Sequence, residues 1–290
     1  MAVEKTKTVT VVTPSYNQGR FIEETIKSVI SQEGNFYLEY LIMDGGSKDE
    51  TVGIIKKYED ILKKGNWPVR CKGIDFKWVS EKDKGQADAV NKGFRAAKGE
   101  MLGWLNSDDT YINGAIAKAL NYFTEHPDSM MVYGEAYKIK DTGEIIERYY
   151  TEPFDFKKLA EVCFICQPSV FLRKEVVEAV GLLDPELHYC MDYEYWIRIA
   201  KKFKIGYLPE FLANTRIYLE TKTMSKRLEV HNEIVKTIKA HYGYVPALWK
   251  LSYIDAKVER LLGGKNDLKN SCYSRFRDII VRYKNIISKH

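Results

Sequence analysis

Hydrophobic positions in the first half of the chain follow two alternating periods. Short aliphatic and β-branched runs, typical of buried strands, stand at positions 8–13, 38–43, 76–79 and 101–105. Apolar residues at helical spacing follow each run, at positions 22–30, 49–61, 86–97 and 113–126. This alternation of strands and helices predicts a parallel sheet that is covered by helices on both faces.

The pattern in the second half is less regular. Two extended segments, 130–139 and 145–150, flank the turn sequence Asp141-Thr142-Gly143 and predict a hairpin. After Pro246 we expect two helices that are separated by Gly263-Gly264. The other predicted elements are a strand at 168–172, a helix at 192–203 and an amphipathic helix at 225–241.

Composition narrows the class of protein. The chain has 290 residues, of which 45% are hydrophobic and 29% charged, which excludes a disordered, collagenous or coiled-coil chain. Five irregularly spaced cysteines do not suggest a disulfide framework, and no apolar stretch is long enough to span a bilayer. The apolar run near the N-terminus is too short for a secretory signal, so we expect a cytoplasmic protein.

Charge is concentrated towards the C-terminus. The net charge is +5, but positions 250–290 hold ten basic and four acidic residues, a net +6. This distribution argues against general nucleic-acid binding and favours contact with an anionic surface such as a membrane. Packing on the rest of the protein is the alternative for the amphipathic C-terminal helix. Its apolar stripe and the adjacent basic residues are Ile279, Tyr283, Ile286, Ile287 and Arg275, Arg282, Lys289.

Polar clusters follow all four predicted strands of the first half. Ligands of open parallel sheets bind at the carboxyl ends of the strands, so the clusters predict one polar site. Neither common glycine-rich phosphate loop, G-x-G-x-x-G or G-x-x-x-x-G-K-[ST], occurs. The pair Asp108-Asp109 suits a divalent cation, with helix capping by Asp109 as the alternative. The clusters are Pro14-Ser15-Tyr16-Asn17, Asp44-Gly45-Gly46-Ser47, Ser80-Glu81 and Asn106-Ser107-Asp108-Asp109.

Several segments, in order, resemble the family 2 glycosyltransferases of GT-A fold. They are VTPSYNQGRFIEETIKSVISQ, EYLIMDGGSKDET, KGQADAVNKGF and GWLNSDD, and the resemblance extends from about Thr8 to Tyr218. It implies an α/β fold of GT-A type, with a Rossmann-like, mixed but mostly parallel sheet flanked by helices. It also implies a glycosyltransferase domain at 1–220, with a nucleotide-sugar half at about 1–110 and an acceptor half at about 111–220. A helical C-terminal extension would follow at 221–290.

The resemblance also implies a reaction. Family members transfer a sugar from a nucleotide sugar to a hydroxyl with inversion of the anomeric carbon, usually with Mg²⁺ or Mn²⁺. We expect a UDP-sugar donor and a glycan or lipid-linked acceptor of cell envelope polysaccharide biosynthesis. We also expect the basic C-terminal helices to make peripheral contact with the inner face of the membrane.

Two other functions remain as alternatives. One is a nucleotidyltransferase that makes a nucleotide sugar, although the chain lacks that class's glycine-rich basic signature near the first strand. The other is a catalytically inactive carbohydrate-binding relative, which the presence of Asp44, Asp108 and Asp192 disfavours.

The resemblance assigns the donor-site residues position by position. Pro14, Ser15 and Tyr16 correspond to the segment that cradles the nucleoside, and Asp44 corresponds to the acid that contacts the base. The D-x-D motif of the family falls on Asn106-Ser107-Asp108, so an asparagine stands where the first aspartate is usual. Asn106 would hydrogen-bond the ribose or the diphosphate, and Asp108 would be the chief metal ligand.

The catalytic base is expected in the second half. The segment HYCMDYEYWIRIA resembles the family's E/D-D-x-x-L/W-x-x-R segment and has Asp192 at the base position. The attacking hydroxyl must lose its proton as the new bond forms, and one carboxylate can accept it while a metal neutralises the leaving diphosphate. Glu194 is the rival, but residues two apart on a helix face different directions. Capping of the following helix is the alternative role for Asp192.

Two further sets of residues follow from the resemblance. Asp184, Gln167 and Trp196 would line the acceptor side, with turn formation and core packing as the alternatives. The basic stretch RIYLETKTMSK would close over the donor diphosphate, with a solvated loop as the alternative. Its candidate residues are Arg216, Lys222 and Lys226.

Overall fold

The structure is a computed structural model that describes residues 6–218, 220–221 and 225–261. These residues form two compact units. The first comprises 6–154 and 164–217, and the second comprises 155–163 and the described part of 218–261. Lys222 and the predicted amphipathic stripe between 275 and 289 lie outside the described residues.

Nine strands of the described chain form one mixed sheet in the first unit. They are β1 (Lys7–Ser15), β2 (Phe36–Asp44), β3 (Gly73–Ser80), β4 (Met101–Trp104), β5 (Thr110–Tyr111), β6 (Ser129–Ile139), β7 (Ile145–Arg148), β8 (Val170–Arg173) and β9 (Lys204–Arg216). Their order is β3-β2-β1-β4-β8-β6-β9-β5, and β7 pairs with β6. The first four strands pair in parallel, whereas β8 is antiparallel to both β4 and β6. The predicted α/β fold is confirmed.

The helices of the described chain are α1 (Ile22–Ile30), α2 (Thr51–Lys63), α3 (Gln86–Ala96), α4 (Ala115–Glu125), α5 (Phe156–Glu161), α6 (Lys174–Val180), α7 (Met191–Ala200), α8 (Arg227–Tyr242) and α9 (Ala247–Leu261). Helices cover both faces of the parallel strands. Val9 and Val11 of β1 share a buried cluster with α1 and α4, while Val12 faces α3. At Gly93 of α3 an added Cβ would lie 2.3 Å from Val12 Cγ1, so the close approach of α3 to β1 requires glycine there.

Strand β9 is the longest element that the sequence pattern does not predict. It contains Gly206 and Pro209, which are poor strand formers, and its parallel pairing with β6 has three register shifts. The paired residues Ser129 and Lys204 are far apart in the chain. Pairing with β6, rather than local propensity, therefore forms this strand. The predicted hairpin is confirmed by the antiparallel β6 and β7.

The second unit is held together by contacts among α5, α8 and α9. Arg227 of α8 forms ion pairs with Asp255 and Glu259 of α9, the latter at 2.6 Å. Trp249 Nε1 in α9 donates to the carbonyl of Ala160 in α5 at 2.9 Å. Helix α9 is the first of the two helices predicted after Pro246. Over the ranges that the structure describes, no helical segment has the length and hydropathy needed to cross a bilayer.

Candidate active site

Three strand ends meet at the carboxyl edge of the parallel strands. β1 ends at Ser15, β2 at Asp44 and β3 at Ser80, and the register pairs Ser15 with Asp44 and Asp44 with Ser80. Neighbouring parallel strands that end together bring their last side chains to one edge, which is where ligands of such sheets bind. The structure thus brings together three of the polar positions that the sequence predicts.

Asp44 is 2% exposed, and the chain around it supplies most of its hydrogen bonds. Its Oδ2 accepts from the Gly46 and Ser47 amides at 3.1 and 2.9 Å and from Ser80 Oγ at 2.6 Å. Its Oδ1 accepts from Ser47 Oγ at 2.5 Å. The carboxylate of Asp44 therefore accepts four hydrogen bonds from within the protein, which fix its orientation at the strand end.

The loop after β1 is fixed to the loop after β2. Asn17 has a left-handed backbone, with φ of 52°, and its amide donates to Ser47 Oγ at 2.7 Å. Its side-chain Oδ1 accepts from the Lys48 amide at 2.9 Å. Beside it, Tyr16 is 60% exposed, while Pro14 and Ser15 are buried. The loop therefore presents an exposed ring next to a buried strand end.

The two acids after β4 have different surroundings. Asp109 is buried, and its Oδ1 accepts from the Arg216 amide at 2.8 Å. Burial, followed by the charge of Asp108, raises the pKa of Asp109 well above its usual value. Asp109 is not a helix cap, because α4 begins at Ala115 with Gly114 at its N-cap position. Asp108 is half-buried, and it is the acid of the pair that can face a ligand.

No cluster of three or more His, Cys, Asp or Glu side chains in the described part of the chain forms a ready-made metal site. Mg²⁺ and Mn²⁺ nevertheless bind through one or two carboxylates when substrate phosphates and water complete the coordination. Asp108 suits that mode, because it is a half-buried carboxylate at the carboxyl edge of the sheet. Asp109 suits it less, because it is buried and accepts hydrogen bonds from within the protein.

Arg216 at the end of β9 is fully enclosed. Its side chain is 0% exposed, and its guanidinium lies 4.7 Å above the ring of Phe21. Its nitrogens donate to the main-chain oxygens of Asp108, Lys140 and Asp141 at 2.8 to 3.1 Å and to Glu24 Oε2 at 2.5 Å. This geometry favours a structural role over the predicted contact with the donor diphosphate.

Asn106 lies at the centre of a group of amide side chains. Its Oδ1 accepts from Gln86 Nε2 at 2.8 Å and from Trp104 Nε1 at 2.9 Å. Its Nδ2 donates to Gln167 Oε1 at 2.9 Å. Gln167, predicted on the acceptor side, is therefore in direct contact with the donor-side loop. Trp104 is buried, so its ring packs in the core.

Asp192 lies in the first turn of α7, which begins at Met191. The residue at the N-cap position is Cys190, so Asp192 is not the cap. Asp192 is half-buried and its Oδ1 accepts from the Tyr193 amide at 2.8 Å. Glu194 is buried, and its Oε1 accepts from Arg198 Nε at 2.7 Å. Of the two acids, Asp192 has the more accessible carboxylate.

The segment before α7 is held by two side chains that sequence reasoning did not single out. Asn91 of α3 donates to the Leu183 carbonyl and accepts from the Leu183 amide, both at 2.9 Å. Arg198 of α7 donates to the carbonyls of Val180 and Leu182 at 2.9 and 2.8 Å. Asn91 occurs in the segment KGQADAVNKGF, but nothing in that pattern indicates its partner.

The remaining predicted residues occupy different surroundings. Asp184 is exposed, and its Oδ1 accepts from the Glu186 amide at 3.0 Å, as in a turn. Trp196 is 1% exposed, a location typical of core packing. Lys226 belongs to the second unit and is exposed, just before α8.

Comparison with known proteins identifies a family and several relatives of this chain. The model of glycosyl transferase family 2 matches residues 10–181. An uncharacterized glycosyltransferase of Methanocaldococcus jannaschii is 24% identical over 240 residues, which is 81% of this chain and 79% of that protein. A Bacillus subtilis glycosyltransferase named for teichuronic acid biosynthesis is 26% identical over 212 residues, covering 72% of this chain and 79% of that one.

Solved structures show the same fold. The mannosyltransferase PcManGT of Pyrobaculum calidifontis, in complex with GDP-Man and Mn²⁺, is similar with a TM-score of 0.63 at 17% identity, covering 99% of this chain and 89% of that one. S. aureus TarS 1–349 in complex with UDP-GlcNAc is similar with a TM-score of 0.59 at 17% identity, covering 92% and 77%.

The sheet, its polar carboxyl edge and these relatives define a glycosyltransferase of GT-A type. The chain belongs to glycosyl transferase family 2, because the family model matches more than half of its length. The predicted family, fold and enzyme class are confirmed, and a nucleotidyltransferase is no longer needed as an alternative.

Proposed function

We propose that this glycosyltransferase transfers a sugar, with inversion, from a UDP-sugar to a hydroxyl of a glycan or lipid-linked acceptor. The observation that carries the proposal is the row of Ser15, Asp44 and Ser80 at the carboxyl edge of the sheet. Asp44 lies at the centre of this row with its carboxylate fixed by hydrogen bonds, and Tyr16 offers an exposed ring for a flat base. Solved relatives in complex with UDP-GlcNAc and GDP-Man support a nucleotide-sugar donor.

Asp108 would hold the divalent cation together with the donor phosphates, and the cation would neutralise the leaving diphosphate. Asp192 would accept the proton of the attacking hydroxyl as the glycosidic bond forms. Two observations support this division of roles: each acid is half-buried, while the neighbouring acids Asp109 and Glu194 are buried and hydrogen-bonded.

The test uses a panel of UDP-, GDP-, dTDP- and CDP-sugars with Mn²⁺. The intact protein should release nucleoside diphosphate in the presence of an acceptor hydroxyl, and UDP should raise its melting temperature most. A ligand at 100 times its Kd adds about 2.7 kcal/mol of stability. Release of pyrophosphate, or no nucleotide binding at all, would refute the proposed reaction.

A substitution tests the metal assignment. Asp108→Ala should abolish the Mn²⁺-dependent part of UDP binding in calorimetry while the fold remains intact. Asp60→Ala is the matched control, because Asp60 is an exposed acid on α2 that pairs with Lys64. Unchanged UDP affinity in the Asp108 variant with Mn²⁺ present would show that the metal is held elsewhere.

We further propose that the second unit contacts the inner face of the membrane. The protein would then act in cell envelope polysaccharide biosynthesis. On α9, Ile254 and Leu261 are 46% and 85% exposed, and the helix also carries Lys257 and Arg260. Each basic residue near an anionic surface contributes about 1 kcal/mol, which salt screens. The protein should sediment with anionic liposomes at low salt and not at high salt. Equal binding to neutral liposomes would contradict the electrostatic contact.

A further inference from the structure

The direction of each hydrogen bond around Asn106 follows from groups that can only donate or can only accept. The indole N–H of Trp104 can only donate, so the Asn106 atom 2.9 Å away is its carbonyl Oδ1. The main-chain carbonyl of Trp104 can only accept, so the Gln167 atom 2.6 Å away is its amino Nε2. The remaining bond runs from Asn106 Nδ2 to Gln167 Oε1 at 2.9 Å. Three hydrogen bonds therefore form a closed ring that begins and ends at Trp104.

A carboxylate at position 106 would break this ring. It has no donor for Gln167 Oε1, and rotation of the Gln167 amide would turn that oxygen against the Trp104 carbonyl. It would also add a negative charge next to Asp109, whose Oδ2 lies 3.5 Å from Asn106 Nδ2. Gln167 and Asp109 are both buried, so water does not readily replace the lost donor.

A fourth hydrogen bond connects the ring to α3. Gln86, the first residue of that helix, donates from Nε2 to Asn106 Oδ1 at 2.8 Å. The loop 106–109 is thus fixed from the sheet side by Trp104, from the second half by Gln167 and from α3 by Gln86. Asp108 lies two residues after Asn106, inside this fixed loop.

We propose that Asn106 is a positioning residue, whose carboxamide locks the loop 106–109 so that the donor site operates with Asp108 as its only motif carboxylate. This inference rests on the proposed donor site. The asparagine at the first position of the D-x-D motif is then a requirement of this chain's hydrogen bonding. Restoring the aspartate that is usual in the family impairs the site and does not add a metal ligand.

The first test compares Asn106→Asp with Asn121→Asp, which makes the same chemical change at an exposed position on α4. Without nucleotide or metal, Asn106→Asp should lower the melting temperature by roughly 2–10 °C, as expected for a buried acceptor left unpaired. Asn121→Asp should leave it unchanged. With Mn²⁺, the affinity of Asn106→Asp for UDP should fall about tenfold or more.

Tighter UDP and Mn²⁺ binding by Asn106→Asp, with an unchanged melting temperature, would overturn the proposal and make position 106 a metal ligand. If the intact protein binds neither UDP nor GDP, the proposed function fails, and the melting temperatures without ligand still decide whether the ring requires an amide.

If Asn106→Asp does not fold, a second pair of variants tests the same positioning role. Gln86 is only half-buried, so its substitutions should leave the melting temperature nearly unchanged. Gln86→Glu sets an acceptor against Asn106 Oδ1 and should weaken Mn²⁺-dependent UDP binding more than Gln86→Ala, which only removes a donor. Equal UDP affinity in both variants and in the intact protein would contradict a positioning role, because a purely structural contact predicts no such difference.

Discussion

The carboxyl edge of the parallel strands and the region around β9 and α7 are organised by different kinds of contact. At the edge, Ser15, Asp44 and Ser80 lie side by side because they occupy the same register on adjacent strands. Around β9, Arg216 binds Glu24 across 192 positions of the chain. Strand order and register therefore determine the first region, whereas contacts between residues far apart in the chain determine the second.

The two regions also share one arrangement of acidic side chains. Each has a buried acid with hydrogen bonds from the protein, Asp109 in the first and Glu194 in the second. Each has a half-buried acid close by, Asp108 and Asp192 respectively. We therefore expect the buried acids to have structural roles and the half-buried acids to be the ones that a substrate reaches. The following predictions test that division.

The largest expected effect is on turnover. Asp192→Asn should lower kcat by roughly 10²- to 10⁴-fold, the usual contribution of a general base, with little change in donor affinity because the amide keeps the shape. Glu194→Gln is the matched variant and should keep most of its turnover while losing stability, because it weakens the pair with Arg198. Steady-state kinetics with saturating donor measure kcat of both variants. The reverse result would assign the base to Glu194.

A large loss of stability is expected at Arg216. Lysine has three donors and cannot serve four separate acceptors, so Arg216→Lys should lower the free energy of unfolding by about 3 kcal/mol. Urea denaturation measures this. Arg20→Lys is the control, because Arg20 is 59% exposed and pairs only at the surface with Asp141. Unchanged stability together with lost UDP affinity would restore Arg216 to the diphosphate site.

A smaller loss is expected at Asn91. Asn91→Ala leaves the Leu183 amide and carbonyl without their partner, which should cost about 1–3 kcal/mol of unfolding free energy. Hydrogen exchange at the Leu183 amide should become faster than in the control Asn121→Ala, a change on an exposed helix face. Unaltered exchange at Leu183 would mean that α3 does not hold the segment before α7.

The smallest effect concerns Asp49, an exposed acid at the carboxyl edge. Burial raises its pKa, but hydrogen bonds from Thr51 and Gly19 together lower the pKa below its usual value. A lowered folded pKa gives stability at neutral pH that is lost as pH falls through it. Asp49→Asn should therefore cost less than about 1 kcal/mol at pH 7, and the cost should shrink as the pH is lowered into the acid range. A cost that is constant with pH would contradict this.

Much of the first half could be predicted from sequence. The helix at 22–30 has the predicted bounds, and the first four strands differ from prediction by only a few residues. These elements have strong local signals, since β-branched runs and helical periodicity act over short distances. The short strand β5 and the long strand β9 could not be predicted, because each is stabilised by a distant partner.

The candidate site could likewise be predicted only in part. Asp44, Asp108 and Asp192 could be selected from motifs, because acids at strand ends and helix starts are visible in the sequence. Their surroundings could not: Asp108 and Asp109 look equivalent as neighbours, yet only Asp109 is buried against the β9 end. The predicted diphosphate contact of Arg216 stays a prediction, and its enclosure by four acceptors is visible only in the structure.

The sequence by itself determined the family, the alternation of strands and helices, and the acids that lie at the carboxyl edge, because these depend on periodicity and on order along the chain. Only the tertiary structure decided which of those acids are buried with protein partners, and which side chains hydrogen-bond Asn106 at the first position of the motif. Burial and hydrogen-bond polarity depend on residues such as Gln167 and Arg216, which reach the loop after β4 from 61 and 108 positions away.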